Sequence, residues 1–207
     1  MSKVIVDIGM SLDGFVAGPN AGPHNNLGDG GKRIHRWVFD AEAWRERQNL
    51  RGGRTNWDHE VIKEANDRVG AFVMGRRMFD EGEVGWPDPP PFRAPVFVLT
   101  HRARESWVRQ GGTTFAFVTD GIESAVGQAK EAAGDEDVRI AGGANAIQQA
   151  IEAGLVDELQ IHLAPVLLGG GIRLFDRIDP KHAELEIMRV IESPNVTHLG
   201  YRVVKEV

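Results

Sequence analysis

The chain has 207 residues, with 24 lysines and arginines against 30 aspartates and glutamates, and no cysteine. Without cysteine there is no disulfide scaffold, thiolate metal site or cysteine nucleophile. The net charge of −6 speaks against a nucleic-acid-binding surface. No apolar run approaches the roughly 20 residues that span a bilayer. The segment Met1 to Met10 carries Asp7 and lacks the apolar stretch of a signal peptide, so a soluble, cytoplasmic protein with one domain over 1–207 is expected. The 25 glycines exceed the usual level of about 7%. They mark places where backbone turns tightly or approaches a ligand.

Val4-Ile5-Val6-Asp7-Ile8 reads as a buried strand with one polar intruder. A turn at Asp13-Gly14 returns to extended chain, and a long Gly/Asn/Pro/Asp stretch over 18–31 reads as a mobile loop. Lys32 to Arg47 has helical periodicity. Asp58 is placed to cap a helix over His59 to Val69, with Gly70 beyond its end. Ala71-Phe72-Val73-Met74, Val96-Phe97-Val98-Leu99, Phe115-Ala116-Phe117-Val118 and Val138-Arg139-Ile140-Ala141 read as short buried strands. Between them, Trp86 to Pro91 is a stiff proline loop. Asp120 to Gly134 reads as a strong amphipathic helix, and Gly142-Gly143 opens another. Along the strand region Leu155 to Leu168, Leu159, Ile161 and Leu163 fall on one face and Gln160, His162 and Ala164 on the other. Gly169 to Gly171 is a loop, and 183–191 with 197–204 read as an antiparallel pair. The alternation implies an α/β fold: a largely parallel central sheet, helices on both faces, and antiparallel C-terminal strands.

Ligands of such sheets bind outside the carboxyl ends of the parallel strands. Three ends are unusual: Met74-Gly75-Arg76-Arg77, Leu99-Thr100-His101-Arg102, and Ala141-Gly142-Gly143-Ala144-Asn145. A Gly-Gly at a strand-to-helix turn presents backbone N–H groups to a phosphate, and neighbouring arginines can clamp further oxygens. Thr-His-Arg carries no carboxylate for a ribose 2′-hydroxyl and suits a 2′-phosphate, favouring NADPH over NADH. Other signatures fail. There is no Walker loop, His59-Glu60 lacks the second histidine of a zinc hydrolase, and Gly9-Met10-Ser11-Leu12-Asp13 is no nucleophile elbow. No metal site is read.

Ile8 to Gly18, Val73 to Arg77, Ala141 to Asn145, and Gly154 to Leu159 followed by Ala164 to Gly171 together resemble the dihydrofolate-reductase-like superfamily, specifically its riboflavin-biosynthesis reductase branch, the RibD C-terminal type. The resemblance implies a three-layer α/β/α fold and NADPH as hydride donor. It places Gly75, Arg76 and Arg77 at the cofactor phosphates, Met78 among the cofactor-binding residues, and Thr100, His101 and Arg102 at the adenosine end. It puts Gly142, Gly143, Ala144 and Asn145 against the pyrophosphate, and Val16 and Ala17 beside the nicotinamide.

For the substrate side the candidates are Asp40, on the first helix, Asp7 and His162. Asp13 reads as a cap for the turn at Gly14, and His35 and Trp37 as part of the amphipathic helix. Hydride transfer asks little of the protein beyond positioning and one proton source. The expected function is an NADPH-dependent reductase of a small heterocyclic or imine/carbonyl substrate. The alternative is a non-catalytic NADP(H)-binding or sensor protein on the same fold. The late loop and C-terminal strands are a candidate homodimer surface.

Overall fold

The computed structural model describes residues 2–176, 178–179 and 184–204; Ala183, at the start of one expected strand, lies outside them. Eleven strands are formed among these residues: β1 Val4–Ser11, β2 Phe15–Ala17, β3 Val69–Gly75, β4 Val96–Leu99, β5 Trp107–Val108, β6 Thr114–Val118, β7 Asp137–Gly142, β8 Glu158–Ala164, β9 Ile172–Arg173, β10 Glu184–Ser193 and β11 Val196–Val204. The helices are α1 Arg36–Asp40, α2 Glu42–Arg47, α3 Trp57–Asp67, α4 Arg76–Gly82, α5 Ile122–Ala133 and α6 Ala144–Glu152, with a 3-10 turn over Gly31–His35 before α1.

Nine strands form one sheet in the order β10-β11-β8-β1-β7-β3-β4-β6-β5. The run from β8 to β6 is parallel, while β5, β11 and β10 pair antiparallel. The short strands β2 and β9 pair separately. Strand alternation assigns the two faces. On β3, Ala71 and Val73 join Val4, Val6, Val138, Ile140 and the apolar stripes of α5 and α6 in one core. Phe72 and Met74 turn the other way, onto Phe79 of α4, Phe92 and Phe115. Residues such as Phe79, Phe115, Ile140 and Ile147 are completely buried, and each such side chain contributes about 1.5–3 kcal/mol. Helices therefore cover both faces, as the strand-and-helix alternation requires. No helix among the described residues is long and apolar enough to cross a membrane.

Several local expectations need correction. The helix expected over Lys32 to Arg47 is three pieces, broken where Ala41 is extended (φ −76°, ψ 130°). Asn56, not Asp58, caps α3, its side chain accepting from His59 N–H at 3.1 Å. Asp58 is thereby released inward. Gly70 belongs to β3 rather than to a helix end. Gly121 rather than Asp120 occupies the cap position of α5. Asp13 does not cap the turn at Gly14: its carboxylate accepts from Leu168 and Gly169 N–H groups and from the Ser11 hydroxyl. The segment over 18–31 is tied rather than loose. Asp29 accepts from Asn20 and Asn25, and Gly18 N–H donates to Leu27. The short strands β5 and β9, too brief to show a period, were not expected.

Candidate active site

The three unusual strand ends are neighbours, because β7, β3 and β4 are consecutive in the sheet. Gly75 is paired with Leu99, and Met74 with Gly142. A Cβ on Gly75 would lie 3.5 Å from Ala146 and 3.8 Å from Gly143 N. Gly142 has φ +139°, which a side chain rarely adopts. Gly143 is the cap residue of α6 and makes no side-chain bond there, so the first N–H groups of that helix are open to an acceptor. A Cβ on Gly143 would meet nothing within 4 Å. This cradle of bare backbone fits a pyrophosphate.

The basic residues around it are arranged differently from a free clamp. Arg76 bonds Asp80 at 2.7 Å, and Arg77 bonds Glu81 at 2.8 Å and the Ala21 carbonyl at 2.6 Å. Thr100 is buried, its hydroxyl accepting from Arg102 N–H at 3.1 Å, while the His101 and Arg102 side chains are exposed. Ala144 is buried; Asn145 is exposed and bonds Gln149. Val16 and Ala17 are buried in β2.

On the α3 side of the sheet, alternation brings polar residues of four strands together. Asp7 (β1), Arg139 (β7), His162 (β8) and His198 (β11) all point away from the α5/α6 core. Arg139 donates to Asp7 Oδ1 at 2.8 Å, and His162 Nε2 lies 3.0 Å from the same oxygen. Nδ1 of His162 faces Nδ1 of His198 at 2.8 Å, and His198 Nε2 reaches Asp58 Oδ1 at 3.0 Å. Asp7, Asp58, His162 and His198 are all buried. Gly9, opposite His162 in the ladder, leaves room for His35, whose Cε1 would be 3.0 Å from a Cβ there. Trp37 packs on both network imidazoles, with centroids 4.7 and 4.9 Å away.

The electrostatics follow from these contacts. Burial, the largest single influence on Asp7, opposes its ionisation, but Arg139, His162 and His198 together outweigh it, and the carboxyl falls to about 2. Burial lowers the His198 imidazole and the charge at His162 lowers it further, against the pull of Asp58 and Asp7. The His35 imidazole is pushed down to about 4, by burial first and His162 second.

Two cavities share Asp7, Arg139 and His162 in their walls. One, of about 400 Å³, is charged, with Lys3, Glu64, Arg68, Glu158 and Arg189 around it. The other, of about 240 Å³, is aromatic, lined by Trp37, Trp44, Trp86 and Phe92, with Arg47 at its edge. Met78 and Ala141 also line this second cavity, and Met78 Sδ is 3.0 Å from where a Gly142 Cβ would stand. The aromatic cavity thus abuts the glycine cradle. Trp37 Nε1 and Arg139 Nε, in residues of its wall, are buried and have no hydrogen-bond partner among the described residues.

Of the substrate-side candidates, Asp7 and His162 are joined directly. Asp40 is exposed at the end of α1, where its carbonyl accepts from Arg54. The second buried carboxylate of the network is Asp58 instead. Asp58, His198 and Arg139 were missed by the sequence reading. Arg139 had a signal, a charge inside an apolar strand, matching that of Asp7.

The profile of the RibD C-terminal domain matches residues 2–199, and the chain belongs to that family. A protein of Bacillus subtilis (strain 168), the uncharacterised YyaP, is 24% identical over 180 residues, covering 84% of this chain and 80% of that one. Among solved structures, a candidate riboflavin biosynthesis protein of Shewanella sp. PV-4 superposes with TM-score 0.62 at 24% identity, over 99% of this chain and 100% of that one. The dihydrofolate reductase of Enterococcus faecalis, complexed with NADP(H) and RAB-propyl, gives TM-score 0.56 at 14% identity, over 98% and 97% of the two chains. A Thermotoga maritima diaminohydroxyphosphoribosylaminopyrimidine deaminase/5-amino-6-(5-phosphoribosylamino)uracil reductase gives TM-score 0.63 at 13% identity; it covers 98% of this chain and 57% of that longer one. The fold is therefore the dihydrofolate-reductase-like α/β fold.

Proposed function

We propose that this chain is an NADPH-dependent reductase of a small, flat heterocyclic or imine/carbonyl substrate, of the riboflavin-pathway type. The observation that carries the reading is the contact between two parts of the molecule. A cradle of bare backbone at Gly75, Gly142 and Gly143 adjoins an aromatic cavity through Met78, and Asp7 and His162 stand in that cavity's wall. NADPH, when bound, supplies a hydride. The chain's own residues hold its phosphates at the glycine turns, enclose the substrate between Trp37, Trp44 and Phe92, and keep a proton at the Asp7–His162 pair. The proposal extends to a homodimer, supported by the exposed apolar residues of the edge strand β10.

Fluorescence titration with NADPH and NADH tests the cofactor. NADPH is expected to bind at least tenfold more tightly, and Arg102→Ala to cut NADPH affinity about tenfold while sparing NADH, as loss of one charge-assisted contact of about 1.4 kcal/mol would. Equal affinities for the two cofactors contradict the assignment. Oxidation of NADPH in the presence of 5-amino-6-(5-phosphoribosylamino)uracil or dihydrofolate tests the substrate class.

A further inference from the structure

The buried chain Asp7–His162–His198–Asp58 has three hydrogen-bonded links in a row, and each link needs one proton. The ionised Asp7 can only accept, so Nε2 of His162 carries a hydrogen. Two bare Nδ1 lone pairs at 2.8 Å would repel, so one hydrogen sits between the rings. The third link takes another, between His198 Nε2 and Asp58. Two neutral imidazoles and two carboxylates supply only two protons, so the chain holds one more. Asp58, which already accepts from Asn56 Nδ2 on its other oxygen, is kept as a carboxylate and accepts from His198 Nε2. Burial disfavours a second proton on His198, which makes His198 the acceptor of the middle link.

We infer that His162 is stored as an imidazolium, donating through Nε2 to Asp7 and through Nδ1 to a neutral His198, and that His198 and Asp58 are positioning residues that keep this proton loaded beside the cavity. The surroundings balance the charge. Asp7 and Asp58 are negative and Arg139 and His162 positive, which is how a buried ionic cluster avoids an uncompensated charge. The other titratable neighbour packed here, His35 on the 3-10 turn, is held neutral by its depressed pKa. Arg47 on α2, Glu64 on α3, Arg68 just beyond its end, Lys3, Glu158 and Arg189 face the two cavities further out. The Trp37 ring against His162 is a fitting partner for a cation. Asn56 donates to the second oxygen of Asp58 at 3.1 Å, fixing the far end.

The chemical purpose rests on the reductase reading above. The carbon of a C=N or C=O bond takes the hydride and its electron pair from NADPH. The heteroatom takes the proton, which leaves His162 Nε2 by way of the Asp7 carboxylate. The imidazole, now neutral, regains a proton from water.

Nitrogen NMR of histidine-labelled protein, free of any ligand, tests the storage. At neutral pH both nitrogens of His162 are expected to be protonated, and a coupling across the hydrogen bond is expected between the two Nδ1 atoms. A bare Nδ1 on His162, or no coupling, overturns the inference. His198→Phe removes the acceptor and is expected to strip one proton from His162. His198→Gln restores an acceptor oxygen and is expected to return it. Should the phenylalanine variant not fold, Asp58→Asn removes the balancing charge and is read the same way. With 5-amino-6-(5-phosphoribosylamino)uracil as probe, kcat is expected to fall about tenfold in His198→Phe with KM unchanged; an unchanged kcat overturns the positioning role. A coupling present in a protein that neither binds nor oxidises NADPH defeats the reductase reading and leaves the stored proton standing. Turnover without the coupling does the reverse.

Discussion

Asp7 shows how one residue changes meaning with its surroundings. Among Val4, Ile5, Val6 and Ile8 it is a carboxylate buried in a strand, which is costly unless paired. Arg139 and His162 provide the pairing at 2.8 and 3.0 Å. The carboxyl falls from 3.8 to about 2, and the sign of the consequence is fixed. A depressed carboxyl stabilises the fold above its unfolded value and loses that contribution as pH drops through its folded value. Asp7 is therefore expected to withdraw about 2 kcal/mol between pH ~4 and ~2. Urea unfolding at stepped pH should show a shallower acid decline for Asp7→Asn than for the natural chain; two equally steep profiles would remove Asp7 from the account. Asp13 titrates in the same window, since the Ser11 hydroxyl and the Gly169 and Leu168 N–H groups bring it to about 2 as well. Only the difference between the two chains isolates Asp7. The sequence made Asp7 and His162 visible because a polar residue in an apolar strand stands out. His198 and Asp58 were not visible. A histidine in a polar-looking C-terminal strand has no such contrast, and an aspartate before a helix looks like its cap. Only the Asn56 cap, three-dimensional in its effect, turns Asp58 inward.

At the scale of elements, the strands were the most legible part, because period-two runs of Val, Ile and Phe declare themselves. The helix over Lys32 to Arg47 was not, since its apolar spacing continues across Ala41 while the backbone does not. The break is stabilised from outside: Ala41 pairs with Arg54, and the Asp40 carbonyl accepts from Arg54 N–H at 2.7 Å. That contact lies in the tertiary structure, beyond any local pattern. The glycine turn between β7 and α6 makes a sharper claim. Gly142 sits at φ +139°, with Met78 Sδ 3.0 Å from an added Cβ, whereas Gly143 has open space around it. Gly142→Ala is expected to cost more than about 1 kcal/mol of stability and to disturb the cavity wall through Met78. Gly143→Ala should be close to neutral in stability. Denaturant midpoints of the two variants, side by side, check this; a larger loss at 143 than at 142 would contradict the turn geometry.

For the whole molecule, the parallel core with an antiparallel edge was readable from the order of strand and helix patterns, but the arrangement of the edge was not. Its outer strand, β10, exposes Leu185, Met188, Val190 and above all Ile187, at 73%. Exposed apolar groups on an unpaired edge invite a partner strand. If a second copy covers this edge, Ile187→Glu should convert a dimer to a monomer in sedimentation velocity at micromolar concentration. A natural chain that already sediments as a monomer would dismiss the dimer.

The proton chain has a consequence for how the protein comes into being. Its members are residues 7, 58, 162 and 198, with Arg139 beside them. The central strand β1, made first on the ribosome, finds its two partners only in β7 and β8, more than half the chain later. Contacts so distant in sequence are slow to close. Asp7 has its partners once β7 and β8 are made, but until β11 has been synthesised the two histidines cannot meet, and His162 Nδ1 waits without its partner. The chemistry of this site is thus a late event of assembly, absent from any shorter nascent chain.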